Sequence, residues 1–297
     1  MSACAPCRLT DAAPRADASA VHAALGRAAI ASLYDELALE PKPGLVSFAD
    51  AGSHDDMDAS TFVRSLFALR HYFVRIAAQG ALDTAFAPLE ALGIEAERRM
   101  LRATGGVNTH RGAIFTLGLL CAAAGAAHAE GLPRHAQSLR RVLLARWGDA
   151  LAARARNPRD THGARVARAF GLRSASDEAA LGLPTLFEHV LPALREARRA
   201  GAGDQGAKLH ALFTAMAHVA DTNLVHRGGL PALREARRLA CEFLAAGSGV
   251  DPQAPARAAR VHAIFVARRW SPGGAADLLA AACLVERMEL LHDGAAR

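Results

Sequence analysis

The chain has 297 residues, is 52% hydrophobic and carries a net charge of +6 with a pI near 9.5. Its basic residues are almost all arginines, spread singly, with no basic block and no aromatic platform, so the charge favours an anionic small substrate over nucleic acid. Five cysteines, an odd number, argue against a secreted disulfide framework, and neither a signal peptide nor a charge-free apolar span is visible. We therefore expect a cytoplasmic protein with no membrane segment.

Residues 1–18, rich in Ala, Pro, Asp and Ser, are predicted to be a disordered tail ahead of a helical domain at 19–297. Apolar residues then recur at three- and four-residue intervals without any strand pattern, which predicts an all-α, single multi-helix domain. The helix at 109–129 is apolar on all sides, so we expect it to be long and central. The predicted helices are 21–39, 59–78, 88–103, 109–129, 133–156, 159–170, 184–200, 204–222, 230–246, 254–269 and 272–291.

Residues 36–58 combine helix-breaking and ionisable side chains in a way that a packed helix does not explain. Glu36 is followed by two prolines around Lys42, by Gly44, and then by His54, Asp55, Asp56 and Asp58. Carboxylates taken out of water are costly unless they are paired or bind a cation. The segment is therefore either a solvated loop or part of a metal-dependent site. A lysine here, in so arginine-rich a chain, suits a phosphate contact, but chance placement explains it equally well.

Two later segments place polar residues at predicted helix ends. Asn108 or Thr109 is expected to cap the helix at 109–129, with His110 and Arg111 in its first turn, where cations oppose the helix dipole. Asp221 and Asn223 are expected to end the helix at 204–222, where a carboxylate is likewise unfavourable. A bound anion in the first case, and a metal or substrate hydroxyl in the second, would compensate.

Ser271 is expected to cap the last helix, with Pro272 at its first position and two glycines that leave backbone N–H groups open to an anion. Asp277 follows one turn later. A well-capped helix with nothing bound is the commoner explanation of this segment alone, yet several such segments together favour one site. Their oxygen-rich side chains suit Mg²⁺. The residues thus indicate a helical, magnesium-dependent enzyme acting on a phosphorylated anion, with carboxylates or histidine as acid and base.

These segments resemble the triphosphoribosyl-dephospho-coenzyme A synthases. The similarity runs in order over roughly residues 20–290, and the form that accompanies malonate decarboxylase is closer than the form that accompanies citrate lyase. One departure is visible, because the family's arginine shortly before a Glu-Ala pair is missing near Ser176, which puts its phosphate contact in doubt. The matching residues are Glu36, 41–46, 52–58, 106–115, 161–163, 221–223, 226–229, 271–274 and 277–279.

The resemblance implies that the helical domain is catalytic. ATP would release adenine, and its triphosphoribosyl group would pass to the 2′-hydroxyl of 3′-dephospho-coenzyme A. The expected partners are these two substrates and a downstream transferase that serves the decarboxylase's acyl carrier subunit, with a homodimer as the candidate assembly. Carboxylates would stabilise the ribosyl cation, as in glycoside cleavage.

On this hypothesis Asp55, Asp56 and Asp221 hold Mg²⁺ on the triphosphate, and Glu36 or His54 is the acid or base. His110, Lys42 and Arg227 would contact phosphates. The candidate catalytic residues are Glu36, His54, Asp55, Asp56, His110 and Asp221. The candidate nucleotide-binding residues are Lys42, Gly44, Asn108, Thr109, His162, Glu178, Asn223, His226, Arg227, Gly228, Ser271, Gly273, Gly274 and Asp277.

Two other functions are compatible with the residues. A magnesium-dependent N-glycoside hydrolase of the ADP-ribosyl hydrolase type would cleave the same kind of bond with water. A non-catalytic helical module that binds nucleotides would use the same polar loops. Dependence of adenine release on the coenzyme A precursor would separate the transferase from the hydrolase, and any ATP turnover would exclude the module.

Overall fold

The structure, a computed structural model, describes residues 17–158, 161–247, 249 and 251–295. Within these residues there are only helices and loops, which confirms the all-α fold. The predicted tail falls almost entirely outside the described residues, and the first helix begins at Ala18 with Asp17 as its N-cap. The helices are α1 (Ala18–Ala38), α2 (Ala59–Ala81), α3 (Phe86–Ala103), α4 (Arg111–Ala129), α5 (Ala136–Arg156), α6 (His162–Phe170), α7 (Ala175–Ala180), α8 (Leu191–Arg199), α9 (Asp204–His218), α10 (Thr222–Ala245), α11 (Ala254–Ala267) and α12 (Gly273–Ala295).

The predicted central helix is α4, which contacts α1, α2, α3, α5 and α12. Small residues let α2 and α4 approach closely, since a β-carbon on Gly125 would lie 1.9 Å from the carbonyl oxygen of Ala77. By length and composition α4 could cross a membrane, but 78% of its most apolar window is buried inside the protein. Its apolar surface is therefore covered by the other helices of the domain.

The region around residue 221 differs from the sequence prediction. The helix predicted over 204–222 ends at His218, and Asp221 is the N-cap of the next helix, α10. A carboxylate is favourable at that end of a helix, so the expected conflict with the dipole does not exist. Gly228 and Gly229 then interrupt α10, with φ of 67° at Gly229, and Pro231 follows.

The sequence prediction missed α7, which begins with a capping box between Ser174 and Asp177. With six residues it is too short to show a clear apolar period. The helix predicted over 184–200 is confirmed, although its first part, Thr185–Val190, is a π-helical turn that leads directly into α8.

The loop between α1 and α2 is fixed against the connection between α11 and α12. Gly44 has φ of 61°, and a β-carbon there would lie 2.0 Å from the carbonyl oxygen of Trp270. The Ser53 N–H donates to the Gly44 carbonyl over 3.1 Å, and the Ser53 hydroxyl donates to the Phe265 carbonyl over 3.2 Å. The role of Gly44 is therefore to permit this close approach, and the loop presents His54 in a fixed position.

Candidate active site

A cavity of about 610 Å³ lies among α1 to α4 and the N-terminal ends of α10 and α12. Side chains from segments that are far apart in the sequence meet around it. The predicted site residues that line it are Glu36, His54, Asn108, Thr109, His110, Asn223, His226, Arg227, Ser271, Gly273, Gly274 and Asp277.

The remaining predicted residues are placed elsewhere. The side chain of His162 lies outside the described part of the chain, although its neighbours Thr161 and Gly163 line the cavity. The predicted residues that are not part of the cavity lining are Lys42, Gly44, Asp55, Asp56, Glu178, Asp221 and Gly228.

Asp221 joins the ends of two helices. One carboxylate oxygen accepts from the N–H groups of Asn223 and Leu224 in α10, over 2.9 and 3.3 Å. The other accepts from Gly274 and Ala275 in α12, over 2.8 and 3.2 Å. Burial raises the pKa of this carboxyl, and the four N–H bonds oppose that rise. Both oxygens are occupied by the backbone, which gives Asp221 a structural role here, and its predicted roles in metal binding and catalysis stay predictions.

The same contacts correct the interpretation of the 271–274 segment. The N–H groups of Gly274 and Ala275, expected to be open to a bound anion, already donate to Asp221. A β-carbon on Gly274 would lie 3.1 Å from that carboxylate, and one on Gly273 would lie 2.7 Å from the amide nitrogen of Asn223. The two glycines therefore admit side chains of this protein.

The three predicted metal ligands do not come together. Asp55 pairs with Arg269 over 2.6 Å at a position where its side chain is 79% exposed. Asp56 lies 3.6 Å from His54 and is 63% exposed. Across the described residues, no three His, Cys, Asp or Glu side chains are grouped so that they could hold a metal ion. A preformed protein cage for Mg²⁺ is thus not present in this part of the chain.

Glu36 and Lys42 form a buried ion pair beside the cavity. Lys42 is 1% exposed, and its ammonium donates to the Glu36 carboxylate and, over 2.5 Å, to the Glu36 carbonyl. Burial lowers the pKa of Lys42, and the Glu36 carboxylate opposes that effect. In this structure the charge of Lys42 is used inside the protein to hold Glu36, and its predicted phosphate contact stays a prediction.

His110 is the N-cap residue of α4 rather than part of its first turn. Its Nδ1 lies 2.7 Å from the Ser65 hydroxyl and 3.1 Å from the Thr109 hydroxyl, and its buried Nε2 has no hydrogen-bond partner. Burial and the nearby Lys42 lower the pKa of His110 to about 3. At neutral pH it is therefore an uncharged imidazole, and its predicted contact with a phosphate stays a prediction.

The residues at the start of α4 also remove the expected conflict with the helix dipole. The Asn108 side-chain oxygen accepts from the Arg111 N–H over 3.1 Å, as a capping residue does. The Arg111 guanidinium pairs with Glu97 on α3 over 2.6 Å. With His110 neutral and Arg111 paired, no bound anion is needed to remove a conflict with the helix dipole.

His54, Arg227 and Ser271 form a connected group at the cavity wall. Arg227 lies 3.1 Å from Nδ1 of His54, and the Ser271 hydroxyl lies 2.9 Å from Nε2. A guanidinium only donates, so Nδ1 accepts and the ring proton resides on Nε2, which donates to Ser271. Burial, and then Arg227, lower the pKa of His54. In this state His54 donates to the Ser271 oxygen and so orients the hydroxyl group. The hydroxyl hydrogen of Ser271 is then free to donate to a substrate oxygen.

Asp277 lies on the first turns of α12 and its carboxyl reaches the start of α4. A β-carbon on Gly112 would lie 2.0 Å from Oδ2 of Asp277, so the glycine makes room for this carboxyl. The Ala113 N–H donates to it. Burial, and then the negative charges of Glu36 and Asp221, raise the pKa of Asp277 well above its usual range. Two carboxyls, Glu36 and Asp277, thus line one cavity in different environments.

Glu178 and Gly228 have structural roles in place of the predicted nucleotide contacts. The Glu178 carboxylate pairs with Arg173 over 3.0 Å and accepts from the Thr185 hydroxyl over 2.9 Å, which ties α7 to the π-helical turn. A β-carbon on Gly228 would lie 2.5 Å from the indole nitrogen of Trp270. Ser174 and Ser176, next to the departure from the family pattern, do line the cavity.

The sequence analysis missed Arg154, which lines the cavity from α5. It pairs with Glu90 on α3, and its guanidinium lies 5.5 Å from the centre of the Phe115 ring. Within an arginine-rich amphipathic helix, nothing in the local sequence distinguishes this arginine from its exposed neighbours. Only the packing of α5 beside α3 and α4 brings it to the cavity.

An all-helical domain with a cavity lined by carboxyls, imidazoles and guanidinium groups belongs to the class of enzymes that act on polar, anionic substrates. The family model described as ATP:dephospho-CoA triphosphoribosyl transferase matches residues 22–294. The chain belongs to this family, and it is accordingly a transferase.

Curated relatives agree over nearly their whole length. The 2-(5″-triphosphoribosyl)-3′-dephosphocoenzyme-A synthase of Klebsiella pneumoniae is 38% identical over 268 residues, which cover 89% of this chain and 94% of the relative. A protein named as a probable synthase of the same kind, from Stutzerimonas stutzeri, is 41% identical over 268 residues, covering 88% and 90%. No solved structure matches this chain at a significant level.

Proposed function

We propose that this transferase moves the 5-triphosphoribosyl group of ATP to the 2′-hydroxyl of 3′-dephospho-coenzyme A and releases adenine, and that the reaction takes place in the cavity among α1 to α4. The observation that supports this most is the convergence of side chains from residues 36, 54, 110, 227, 271 and 277 on that one cavity. These positions come from the segments that resemble the family. A shared cavity is what a single two-substrate reaction requires.

Two groups of residues in the cavity lining suit different parts of the nucleotide. Arg227 and the Ser271 hydroxyl offer donors for phosphate oxygens, as Arg is well suited to do. The carboxyls of Glu36 and Asp277 lie where a ribosyl cation would be stabilised. We therefore place the triphosphate at the group formed by His54, Arg227 and Ser271, and the ribose beside the two carboxyls.

Magnesium belongs to this proposal as an ion that enters with the triphosphate. Mg²⁺ is usually held by one or two carboxylates plus substrate phosphates and keeps several waters. Asp55 and Asp56, exposed beside His54, fit that manner of binding, whereas Asp221 does not. The ion would neutralise charge on the triphosphate. Arg227 and Ser271 would position the phosphate oxygens around it.

We further propose that the product serves malonate decarboxylase, through a downstream transferase that loads the acyl carrier subunit, in the cytoplasm. The support is the resemblance of residues 52–57 and 109–115 to the form that accompanies that enzyme. Deleting the gene should abolish growth on malonate and leave citrate use intact. Loss of citrate use instead would contradict this assignment. A homodimer remains the candidate assembly, and light scattering at assay concentrations would decide it.

Adenine release tests the reaction itself. The purified enzyme with ATP and Mg²⁺ should release adenine only when 3′-dephospho-coenzyme A is present, with one product of matching mass per adenine. A chelator should stop the reaction, and excess Mg²⁺ should restore it. Equal release without the acceptor would mean that the protein is a hydrolase, and no release under any condition would refute the proposal.

A further inference from the structure

Glu36 and Asp277 reach the same cavity from opposite directions, and their partners differ. Glu36 comes from the C-terminal part of α1 and is bonded to the ammonium of Lys42. Asp277 comes from α12 and accepts from the Ala113 N–H at the start of α4. In the part of the chain that the structure describes, no lysine or arginine pairs with Asp277. One carboxyl therefore has a cation and the other has none.

The surroundings of Asp277 favour a bound proton. The charged groups that face it are Glu36 from α1 and Asp221 at the junction of α10 and α12, both of them carboxyls. Lys42 neutralises Glu36, and four N–H groups solvate Asp221. When neighbouring carboxyls cannot all ionise, the one with the fewest donors and no cation keeps the proton. Burial of Asp277 and its raised pKa agree with this assignment.

Space at Gly112 fixes where that carboxyl can point. A Gly112 β-carbon would lie 2.0 Å from Oδ2, so with any other residue at position 112 the Asp277 carboxyl would have to move. The Ala113 N–H, in the first turn of α4, is placed to stabilise the carboxylate that remains after the proton has left. The space at Gly112 and the Ala113 N–H both suit a carboxyl group that changes its charge during a reaction.

We propose that Asp277 is the general acid of the transfer, donating its proton to the departing adenine, and that Glu36 is the base that accepts the proton of the acceptor hydroxyl. This inference rests on the proposed function. The bond between the ribose anomeric carbon and adenine breaks, and its electron pair stays on adenine, which is neutralised by the proton from Asp277. The acceptor oxygen forms the new bond to the anomeric carbon and loses its proton to Glu36. Transfer of that proton from Glu36 to Asp277 restores both groups.

The test separates departure of the base from attack by the acceptor. The Asp277→Asn variant keeps the shape of the side chain and an oxygen for the Ala113 N–H, but it has no proton to give. With ATP its turnover should fall by about 10²- to 10⁴-fold, the usual contribution of general acid catalysis. The comparison substrate is a nitrophenyl riboside 5-triphosphate, whose nitrophenolate leaving group departs without a proton. With this substrate the turnover of Asp277→Asn should fall by less than about 10-fold. The matched control Asp35→Asn, at a carboxylate that pairs with Arg287 and Lys208 and does not line the cavity, should keep wild-type turnover of both substrates.

Equal losses on both substrates, or no loss on either, would overturn the proposal. A second measurement applies if the wild type does not accept the nitrophenyl substrate. The kcat/KM for ATP should fall at high pH, as Asp277 loses its proton. Asp277→Asn should flatten this alkaline limb, and an unchanged limb would refute the assignment.

The Gly112→Ala variant provides an independent check, since it leaves both carboxyls in the sequence. Its β-carbon should displace the Asp277 carboxyl and lower turnover with ATP far more than turnover with the nitrophenyl substrate. Gly148→Ala is its control, because a β-carbon there would meet nothing closer than 3.8 Å. Adenine release by the wild type is measured in the same series. Its absence would refute the proposed function, whereas normal release by Asp277→Asn would refute only the role of Asp277.

Discussion

Asp221 and Asp277 are the same residue type near the same helix end, and they serve opposite purposes. Asp221 is 2% exposed and gives all its acceptor capacity to four backbone N–H groups. Asp277 lies one and a half turns into α12, accepts from one N–H and faces a cavity. The comparison teaches that a buried carboxyl is structural where the backbone satisfies it and reactive where it is left with capacity to spare.

A third carboxyl, Glu36, offers the largest test of this comparison. The Lys42→Met variant would leave Glu36 buried without its cation, and breaking a buried pair from one side costs about 3 to 5 kcal/mol. We expect the free energy of unfolding, measured by denaturant titration, to fall by that amount. Arg238→Met is the control, because Arg238 is 53% exposed and pairs with Glu235 and Glu242 along its own helix, so its loss should cost far less. Equal losses for both variants would contradict the importance of burial for the Glu36 pair.

The role of Asp221 predicts the next largest effect. The Asp221→Ala variant removes the cap of α10 and the acceptor for two N–H groups of α12 at once. Since a single N-cap contributes about 0.5 to 2 kcal/mol, we expect a loss of about 2 to 4 kcal/mol in the free energy of unfolding. Asp221→Asn should lose less, because its amide oxygen still accepts. A loss confined to activity, with stability unchanged, would show that the carboxylate serves the reaction instead.

The helices were predictable because their apolar periodicity is strong, and the central position of α4 followed from its uniform hydrophobicity. The segments that form the cavity were also predictable, since Glu36, His54, His110, Arg227, Ser271 and Asp277 all line it. The roles within those segments were not. Whether Asp221 or Lys42 faces a ligand depends on partners 6 to 54 residues away in sequence, which only the packed structure reveals.

The prediction of where helices end was wrong at Asp221 for a related reason. Asp221 was expected at the C-terminus of one helix and is at the N-terminus of the next, because an Asp between two helical patterns fits either position until the boundary is known within one turn. The error reversed the electrostatic argument, since the dipole that disfavours a carboxylate at one end favours it at the other. The prediction of a metal ligand at Asp221 depended on that reversed sign.

The smallest effect that we expect is a difference between Asp221 and Asp277 in how the free energy of unfolding depends on pH. A carboxyl whose pKa is raised by folding stabilises the protein at low pH, and that contribution is lost as pH rises through the folded-state value. Asp277→Asn cannot ionise, so its stability relative to wild type should be nearly equal near pH 4 and should increase toward pH 8, by about 1.4 kcal/mol for each unit of pKa shift. Chemical denaturation across this range measures the difference. Asp221→Asn should instead lie below wild type across this range, because its amide nitrogen cannot accept N–H bonds, and it should gain less toward pH 8, since four N–H groups oppose the rise in the pKa of Asp221. If both variants gained stability equally with rising pH, backbone N–H groups would not be what distinguishes a structural carboxyl from a reactive one here.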